Sequence, residues 1–495
     1  MELNKIDTGI STKEMILNIV LYKEDPNYPT VYRYFRRQEM PKQPIVERIK
    51  NFNEVALGFE PDQAIMEASR CLQCQDPQCR RGCPVGINIT SFCGYVREGN
   101  FDKAISVIRE SNSLPAICGR VCPQESQCEA YCAMGQTGSP LAIGALERFL
   151  ADYELKKGIT MPSIAPITGK KVAVIGSGPA GLTVAGDLAK LGHIVSIFEA
   201  LHTPGGVLAY GIPEFRLPKS IVAAEVDYVK RLGAKLETNM VIGKIFTIDE
   251  LVEMGYQAIF LGTGAGSPYF LSISGENLNG VYSANEFLTR CNLMKSYLFP
   301  EYDTPLIVGK EVVVIGGGNV TMDSARTALR LGVEKVHVVY RRSEQEMPAR
   351  REEVLNAKDE GILFNFLTYP LRLIGNSRGW VEKVECGMME LCEPDETGRR
   401  RPVPIPNHSF TIDAQTVIIA IGQGPNPLLS KVTKDLETDR DGRFIADEWG
   451  RTSKRGIWSG GDVATGWADA TVINAMGTGK RAASSIHQFL TTGQW

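Results

Sequence analysis

The pattern of apolar and polar residues changes once along the chain. From Glu47 to about Asp152, apolar residues recur at helical spacing, and Pro and Gly separate short helical segments. After the linker KKGITMPSIAPITGK, short β-branched runs alternate with Gly turns and Ala-rich helices, which is typical of βαβ units on a parallel sheet. The pattern therefore predicts a small helical domain followed by an α/β part.

The α/β part repeats one strand, turn, helix and strand unit. The two copies cover residues 171–200 and 311–342, and their turns begin at Gly176 and Gly316. This predicts an α/β fold class with two Rossmann-like dinucleotide-binding domains, the second inserted in the first. The predicted boundaries are an N-terminal extension at 1–45, a helical domain at 46–160, the first dinucleotide domain at 161–307 and 421–495, and the inserted domain at 308–420.

The first glycine turn predicts a site for a dinucleotide without a 2′-phosphate. It follows the strand KVAVI and opens a helix whose N-terminus can meet a pyrophosphate. Glu199 ends the second strand, where a carboxylate accepts hydrogen bonds from ribose hydroxyls and repels a 2′-phosphate. FAD or NAD is expected here, against the alternative of a turn that only packs a helix on a strand. The predicted contacts are Gly176, Gly178, Pro179, Ala180, Gly181 and Glu199.

Two further segments favour a flavin at this first site. HTPGGVLAYGIPEFRLPK follows the first unit directly and offers flexible backbone beside Leu208 and Arg216. Near the C-terminus, Asp462 could hold the ribityl or pyrophosphate region, and a helix starting near Thr471 could face the flavin pyrimidine, where negative charge develops on reduction. The added FAD contacts are Gly206, Leu208, Arg216, Gly461, Asp462, Thr471 and Val472.

The second glycine turn carries the opposite charge at the equivalent position. Thr321 stands where the third glycine would be, and Arg341 and Arg342 end the second strand. Guanidinium groups form paired, charge-assisted hydrogen bonds with a ribose phosphate, which predicts NADP(H) rather than NAD(H). A solvated surface arginine pair is the alternative. The predicted contacts are Gly316, Gly318, Asn319, Val320, Asp323, Arg341 and Arg342.

Nine of the 12 cysteines lie between residues 71 and 132, which indicates one local site. Zinc and iron–sulfur are the candidate centres, because a chain inside the cell would not keep these thiols as disulfides. A C-x2-C-x4-C-x3-C-P run followed by a second triplet resembles two-cluster ferredoxins and favours two 4Fe-4S clusters. The predicted ligands are Cys71, Cys74, Cys79, Cys83, Cys122, Cys128 and Cys132, with Cys93, Cys118 and Glu147 as candidates for the eighth position.

Composition and charge exclude several other classes of function. The chain has 54 basic and 57 acidic residues and a net charge of −3, which argues against nucleic acid or an anionic membrane surface as a partner. No apolar run is long enough to span a bilayer, and the first residues lack the apolar core of a secretory signal. A cytoplasmic protein with small-molecule and protein partners is expected.

Taken together, several motifs resemble one family. CLQCQDPQCRRGCPVGINI, HTPGGVLAYGIPEFRLPK and YRR…EMPAR resemble the small (β) chains of NADPH-dependent glutamate synthase, over roughly residues 45 to 490. ANEFLTRCNLMKSYLFPEYDTP and EPDETGRRRPVPIP are most similar to the large subunit of NADH-dependent ferredoxin:NADP oxidoreductase and to sulfide dehydrogenase α subunits. The resemblance implies one cluster on Cys71, Cys74, Cys79 and Cys132, and the other on Cys83, Cys122, Cys128 and Glu147.

The resemblance also implies a function. The chain would exchange hydride between NADP(H) and FAD, and single electrons with a partner through the two clusters. The partner would be a second flavoprotein subunit, either a ferredoxin-reductase-like chain, with ferredoxin and electron bifurcation, or a glutamate synthase large chain. A self-contained NADPH-dependent reductase of sulfur compounds is an alternative, although Cys291, Cys386 and Cys392 do not form a typical redox pair. A zinc-stapled binding module is the third hypothesis.

Overall fold

A computed structural model describes residues 36–136, 138–394, 400–466 and 470–495 of the chain. The first 35 residues of the predicted N-terminal extension lie outside the described residues, as do 395–399 within the motif EPDETGRRRPVPIP and 467–469 near the C-terminus. The described chain divides into two compact units. The first unit contains the residues up to Lys42, residues 56–162 and the short segment Thr471–Ile473. The second unit contains Gln43–Val55 and residues 163–470 and 474–495.

Helices dominate the chain as far as residue 157, as the apolar spacing predicts. They are α1 (Ile45–Arg48), α2 (Pro61–Ser69), α3 (Gln78–Arg81), α4 (Ile89–Arg97), α5 (Phe101–Ser111), α6 (Pro115–Val121) and α7 (Ile143–Lys157). Asn88 and Asn100 begin α4 and α5 by accepting hydrogen bonds from the backbone N–H groups of Ser91 and Lys103. A side chain at Gly119 in α6 would lie 2.6 Å from the backbone nitrogen of Arg148 in α7, so glycine lets these two helices pack closely.

The first dinucleotide-binding sheet is parallel and has the strand order β15-β4-β1-β2-β3. Its strands are β1 (Lys171–Ile175), β2 (Ile194–Phe198), β3 (Lys235–Glu237), β4 (Ala258–Leu261) and β15 (Ile457–Ser459). The helices that belong to this part of the chain are α8 (Pro179–Lys190), α9 (Val207–Tyr210), α10 (Lys219–Arg231), α11 (Ile248–Glu253), α15 (Leu428–Val432) and α16 (Val472–Thr492). The strands read as continuous apolar runs because both faces of a parallel sheet are covered.

The second parallel sheet has the order β6-β13-β7-β8-β9. Its strands are β6 (Val281–Ser283), β7 (Glu311–Ile315), β8 (Lys335–Tyr340), β9 (Leu363–Phe366) and β13 (Thr416–Ile419), and its helices are α12 (Ala284–Asn292), α13 (Asn319–Arg330) and α14 (Arg351–Asp359). Since β15 returns to the first sheet after the second is complete, the predicted insertion is confirmed. The sheet takes in β6, ahead of the expected boundary at 308, because β6 pairs with β13.

Two antiparallel sheets accompany the parallel ones. The larger has the order β10-β11-β12 and is built from β10 (Thr368–Gly375), β11 (Val381–Pro394) and β12 (Arg400–Asp413). The smaller pairs β5 (Ala265–Pro268) with β14 (Gln423–Pro425). Within the described ranges, no helix combines the length and apolar character needed to cross a membrane.

Candidate cofactor sites

Four of the predicted thiol ligands line one cavity in the helical unit. Cys71, Cys74, Cys79 and Cys132 are half-buried around it. Burial, together with the neighbouring charges of Cys71 and Cys132, raises the pKa of Cys79 to about 12. Thiolates crowded in this way repel one another unless a cationic centre binds them. This donor set therefore fits a 4Fe-4S cluster.

The second set of predicted ligands also converges. Burial raises the pKa of the Cys83 thiol to about 11, and Glu147 contributes to the shift. The pKa of Cys122 is raised by its hydrogen bond with Cys118, by burial and, to a smaller extent, by the charge of Glu147. The pKa of Cys128 is raised mainly by burial, then by the charges of Glu129, Cys83 and Glu147. Glu147 is only 6% exposed. The carboxylate therefore acts electrostatically on all three thiols.

The structure separates the three candidates for the eighth ligand. Cys93 is fully buried and hydrogen-bonds Cys71, so it lies beside the first set of thiols. Cys118 contacts Cys122, and its Sγ lies 3.7 Å from the side-chain oxygen of Asn112, to which it donates. The charge of Glu147 acts on Cys83, Cys122 and Cys128. This interaction with all three thiols favours Glu147 as the candidate.

Zinc is the alternative to iron–sulfur for these thiols. A structural zinc site needs four ligands, each ~2.0–2.3 Å from one ion. No three His, Cys, Asp or Glu side chains in the described part of the chain are grouped in this way.

The first glycine turn leaves room for a ligand above the start of α8. Gly176 has φ +100°, and a side chain there would lie 2.6 Å from the carbonyl oxygen of Gly262. A side chain at Gly181 would lie 2.0 Å from the oxygen of Gly176, so the third glycine lets the helix pack on the turn. In contrast, nothing lies within 4 Å of a side chain built at Gly178. The open position fits the close approach of a pyrophosphate to Pro179 and Ala180, the first residues of α8.

Glu199 closes the same turn from the end of β2. Its Oε2 accepts hydrogen bonds from the backbone nitrogen and the hydroxyl of Ser177, at 2.9 and 2.5 Å. Its Oε1 accepts from the backbone nitrogen of Leu201 at 2.9 Å. The Ser177 hydroxyl in turn accepts from the backbone nitrogen of Gly205 at 2.9 Å. Glu199 is 5% exposed, and its hydrogen bonds fix the conformation of the loop beside the expected ribose position.

The C-terminal segment and the 202–219 segment both return to this turn. A side chain at Gly206 would lie 3.0 Å from Cα of Gly178, and one at Gly461 would lie 3.3 Å from Cβ of Ala180. Leu208 is fully buried in α9. Burial raises the pKa of Asp462, which directly follows Gly461. The structure thus gathers most of the predicted FAD contacts, with Thr471 preceding Val472 at the start of α16.

The second glycine turn has the same shape. Gly316 has φ +147°, and a side chain there would lie 2.3 Å from the carbonyl oxygen of Ala420. Gly318 is open, with nothing within 4 Å of a built side chain, and α13 begins at the next residue, Asn319. Thr321 is fully buried, and its hydroxyl has no hydrogen-bond partner among the described residues. The departure at Thr321 is accommodated inside the fold, while Val320 is only partly buried beside it.

The two arginines after β8 occupy the position that Glu199 occupies after β2. Arg341 is exposed, and Arg342 is half-buried and donates from Nε to the backbone oxygen of Arg400 at 3.1 Å. The loop after them folds back on the turn, because the backbone nitrogen of Arg350 donates to the side chain of Asn319 at 2.9 Å. Guanidinium groups at the rim of this turn fit a 2′-phosphate.

Arg216 and Asp323 require a correction. The sequence predicts that Arg216 contacts FAD and that Asp323 contacts NADP(H). In the structure they bind each other, with Nη1 of Arg216 2.6 and 2.8 Å from the two carboxylate oxygens of Asp323. Both are at least nine-tenths buried, so their charges are directed at each other inside the protein. They connect the 202–219 segment to α13.

The Arg216–Asp323 pair belongs to a larger buried charge network. Glu353 contacts Arg216 and Arg326, and Glu360 binds Arg326 and Arg330. Although burial raises the pKa of Glu353, the nearby arginines lower it to about 2. Further members are Arg48, the last residue of α1, which pairs with Glu360, and Phe215, whose ring lies under Arg326 and Arg330.

Comparison with known protein families adds two matches that together cover most of the chain. Residues 48–159 match the family described as dihydropyrimidine dehydrogenase domain II, 4Fe-4S cluster. Residues 170–479 match the pyridine nucleotide-disulphide oxidoreductase family. The glutamate synthase [NADPH] small chain of Escherichia coli is 35% identical over 471 residues, which are 93% of this chain and 99% of that protein. The chain belongs to the glutamate synthase small-chain family.

Some other relatives are longer than this chain. The NADP(+)-dependent formate dehydrogenase subunit beta of Moorella thermoacetica is 38% identical, and the match covers 84% of this chain but only 60% of that protein. Among solved structures, Mycobacterium tuberculosis FprA in complex with NADPH has a TM-score of 0.55 and 22% identity, covering 66% of this chain and 85% of that one. That likeness confirms the nested two-sheet fold.

Membership in the small-chain family and the two family matches establish the class of cofactors. The chain is an NADPH-linked FAD and iron–sulfur oxidoreductase, and its cofactors are FAD, NADP(H) and 4Fe-4S clusters. The predicted resemblance, fold class and cofactors are confirmed. The assignment of individual residues to each cofactor stays a prediction.

Sequence reasoning missed two residues that shape these sites. Ser177 lies inside the glycine motif, and its position between Gly176 and Gly178 was a signal that it could bind Glu199. Asn112 contacts Glu147 from a separate helix. Nothing in the local sequence indicates the second contact, because 35 residues separate the partners.

Proposed function

We propose that this chain carries electrons between NADP(H) and a partner protein, as one subunit of a larger oxidoreductase. The observation that carries the proposal is the presence, in one chain, of two glycine turns with opposite charges at their rims and two separate sets of cluster ligands. When bound, FAD joins the two-electron hydride chemistry of NADP(H) to the one-electron chemistry of 4Fe-4S clusters.

In this proposal, Arg341 and Arg342 bind the 2′-phosphate of NADP(H), while Gly318 and the start of α13 receive the pyrophosphate. At the first turn, Gly178 and the start of α8 receive the FAD pyrophosphate, and Glu199 orients the ribose. Asp462 and Val472 complete that site from the C-terminal segment. The opposed charges keep each dinucleotide at its own turn.

The two cluster sites are proposed on separate ligand sets. Cys71, Cys74, Cys79 and Cys132 would hold one cluster, and Cys83, Cys122, Cys128 and Glu147 the other. Support comes from the shared cavity of the first set and from the mutual electrostatic effects within the second. Thiolates supply the ligands that 4Fe-4S clusters prefer, and a carboxylate would change the potential of its cluster.

Metal analysis and cysteine variants test this ligation. Anaerobically purified protein is expected to contain about eight iron and eight acid-labile sulfide per chain, as two four-iron clusters require. Cys71→Ser and Cys83→Ser should each remove a different cluster, as followed by electron paramagnetic resonance (EPR). Buried Cys291→Ser serves as the control, because Cys291 lies on α12, away from both sets in the sequence. One zinc without sulfide, or loss of the same cluster in both variants, would contradict the proposal.

The partner is proposed to be a second flavoprotein subunit. The match to the E. coli small chain covers 99% of that protein, which supports a glutamate synthase large chain as the partner. The motifs similar to ferredoxin:NADP oxidoreductase support a ferredoxin-reductase-like chain instead, in which electron pairs from NADPH would divide between ferredoxin and NAD⁺. Copurification from the native source distinguishes the two. A glutaminase-containing chain identifies the first partner, and NADPH oxidation that requires both ferredoxin and NAD⁺ identifies the second.

The arrangement of the remaining cysteines does not favour a self-contained reductase of sulfur compounds. Cys291 lies on α12 and Cys386 on β11, and both are buried. Burial raises the pKa of each to about 12, so neither is a reactive thiolate at neutral pH. Cys392 is exposed near the end of β11. A purified chain that reduces polysulfide with NADPH and no partner would revive this alternative.

A further inference from the structure

We propose that Asn112 is a positioning residue that orients Glu147 and thereby raises the reduction potential of the cluster assigned to Cys83, Cys122, Cys128 and Glu147. The inference rests on the ligation proposed above. It concerns a residue that lies outside every cysteine motif of the sequence.

Asn112 is fully buried at the C-terminal end of α5. Its side-chain nitrogen Nδ2 donates to Oε1 of Glu147 at 2.7 Å. Its side-chain oxygen Oδ1 accepts from the backbone nitrogen of Leu114 at 2.8 Å and from Sγ of Cys118 at 3.7 Å. Because two donors surround the oxygen, the amide can present only its nitrogen to Glu147.

This hydrogen bond fixes the orientation of the carboxylate. Asn112 engages Oε1 of the carboxylate at 2.7 Å. The carboxylate comes from α7, which Gly119 allows to pack closely on α6, the helix that carries Cys118 and ends beside Cys122. Asn112 therefore restrains the carboxylate from a different segment of the chain.

The same bond has an electronic consequence. Hydrogen bonds to the ligands of an iron–sulfur cluster tune its reduction potential, and groups that contact a ligand are part of the site. An N–H donor draws electron density from the carboxylate and so favours the more negative, reduced state of the cluster. Loss of the donor should lower the potential of this cluster and leave the other cluster unchanged.

A structural role makes a different prediction. If Asn112 only shapes the turn into α6, its oxygen is the atom that matters, since it accepts from the backbone of Leu114. Serine and aspartate both provide such an oxygen. Asn112→Ser and Asn112→Asp each keep an oxygen that can accept from Leu114 and lack the amide N–H that Asn112 donates to Glu147.

The test is an anaerobic redox titration of both clusters by EPR, on the full chain with its flavin and iron content measured. Asn112→Ser is expected to lower the equilibrium constant for reduction of the Glu147 cluster about tenfold, which is a shift of ~59 mV for a one-electron couple. Asn112→Asp should shift it further in the same direction, because it adds a negative charge. Asn100→Ser is the matched control, since Asn100 begins α5 in the same unit and caps only Lys103.

The outcomes separate this inference from the proposed function. If Glu147→Cys leaves the spectra and potentials of both clusters unchanged, the ligation by Glu147 is wrong. If Glu147→Cys alters one cluster while Asn112→Ser and Asn112→Asp match the wild type, the ligation stands and the positioning role is overturned. In the Glu147→Cys background, the shift caused by Asn112→Ser should disappear. A shift that persists there, or that appears equally in both clusters, would also overturn it.

Discussion

The two glycine turns have a similar backbone conformation, but the charged residues that follow them are placed differently. At the first turn, Glu199 is buried and accepts hydrogen bonds from Ser177 and Leu201, so the acid shapes the loop itself. At the second turn, Arg341 is exposed and Arg342 is half-buried at the rim. The buried acid holds protein groups in place, whereas the accessible arginine lies where the proposed 2′-phosphate would bind.

The comparison extends to the helices that follow the turns. α8 presents small residues such as Ala180 and Gly181 to its turn, while α13 buries Asp323, Arg326 and Arg330. The charges of α13 are directed into the protein, toward Arg216, Glu353 and Glu360. The charges of this helix are thus paired inside the protein, and the loop after β8 carries the arginines that we propose bind the nucleotide.

The largest expected effect comes from breaking the buried pair on α13. Asp323→Ala leaves Arg216 buried without its bidentate partner, which typically costs about 3–5 kcal/mol. Denaturant unfolding followed by flavin fluorescence should show this loss. Glu286→Ala is the control, because its pair with Arg290 is exposed and is expected to contribute less than ~1 kcal/mol. If Asp323→Ala instead keeps its stability and loses NADPH binding, Asp323 is a nucleotide ligand after all.

Acid should weaken the same network. The folded-state pKa of Glu353 lies at about 2, below its ordinary value of 4.5, because the surrounding arginines outweigh burial. A lowered pKa stabilises the fold above pH ~4.5, and this contribution is lost as the pH falls toward 2, to a total on the order of 3 kcal/mol. Glu353→Gln should reduce the slope of stability against pH in this range. An identical slope in both proteins would contradict the assignment.

A smaller effect is expected at the first turn. Glu199→Gln replaces the charged acceptor of two hydrogen bonds from Ser177 with a neutral one. A total loss of ~1.5–3 kcal/mol at this turn should lower FAD affinity roughly ten- to a hundredfold. FAD retained after gel filtration at defined flavin concentrations measures this change. NADPH affinity of the flavin-loaded fraction should stay as in the wild type. Unchanged FAD content would mean that the acid is dispensable for the loop.

The smallest effect is expected at Thr321. Its buried hydroxyl has no hydrogen-bond partner among the described residues, so the isosteric Thr321→Val change should alter the free energy of unfolding by less than ~1 kcal/mol. NADPH affinity should also be unchanged, as measured by equilibrium titration. A clear loss of NADPH affinity with unchanged stability would show that the hydroxyl binds the nucleotide.

Local sequence was sufficient to predict much of this molecule. The strands around Gly176 and Gly316, the charges that follow β2 and β8, and the cysteine spacing are all set by neighbours in the chain. These features need only short-range periodicity and known turn chemistry. The structure accordingly places most of the predicted FAD contacts around one turn and the cysteines in two sets.

Pairings between residues distant in the sequence could not be predicted. Arg216 and Asp323 were assigned to cofactors because each lies in a motif, yet 107 residues separate the two ends of their ion pair. The contact between Asn112 and Glu147 and the pairing of β6 with β13 also join residues that are distant in the sequence. In each case a side chain or strand finds its partner through the packing of separate elements, which a single sequence does not record.

Nucleotide selection tests the central claim most directly, because the account assigns NADP(H) to the second turn through two side chains. The dissociation constants of NADPH and NADH are to be measured for wild type and for the Arg341→Ala, Arg342→Ala double variant, with FAD content as the control. The account predicts that NADPH binding weakens roughly ten- to a hundredfold while NADH binding stays nearly unchanged. Equal weakening of both nucleotides, or a wild type that prefers NADH, would contradict it.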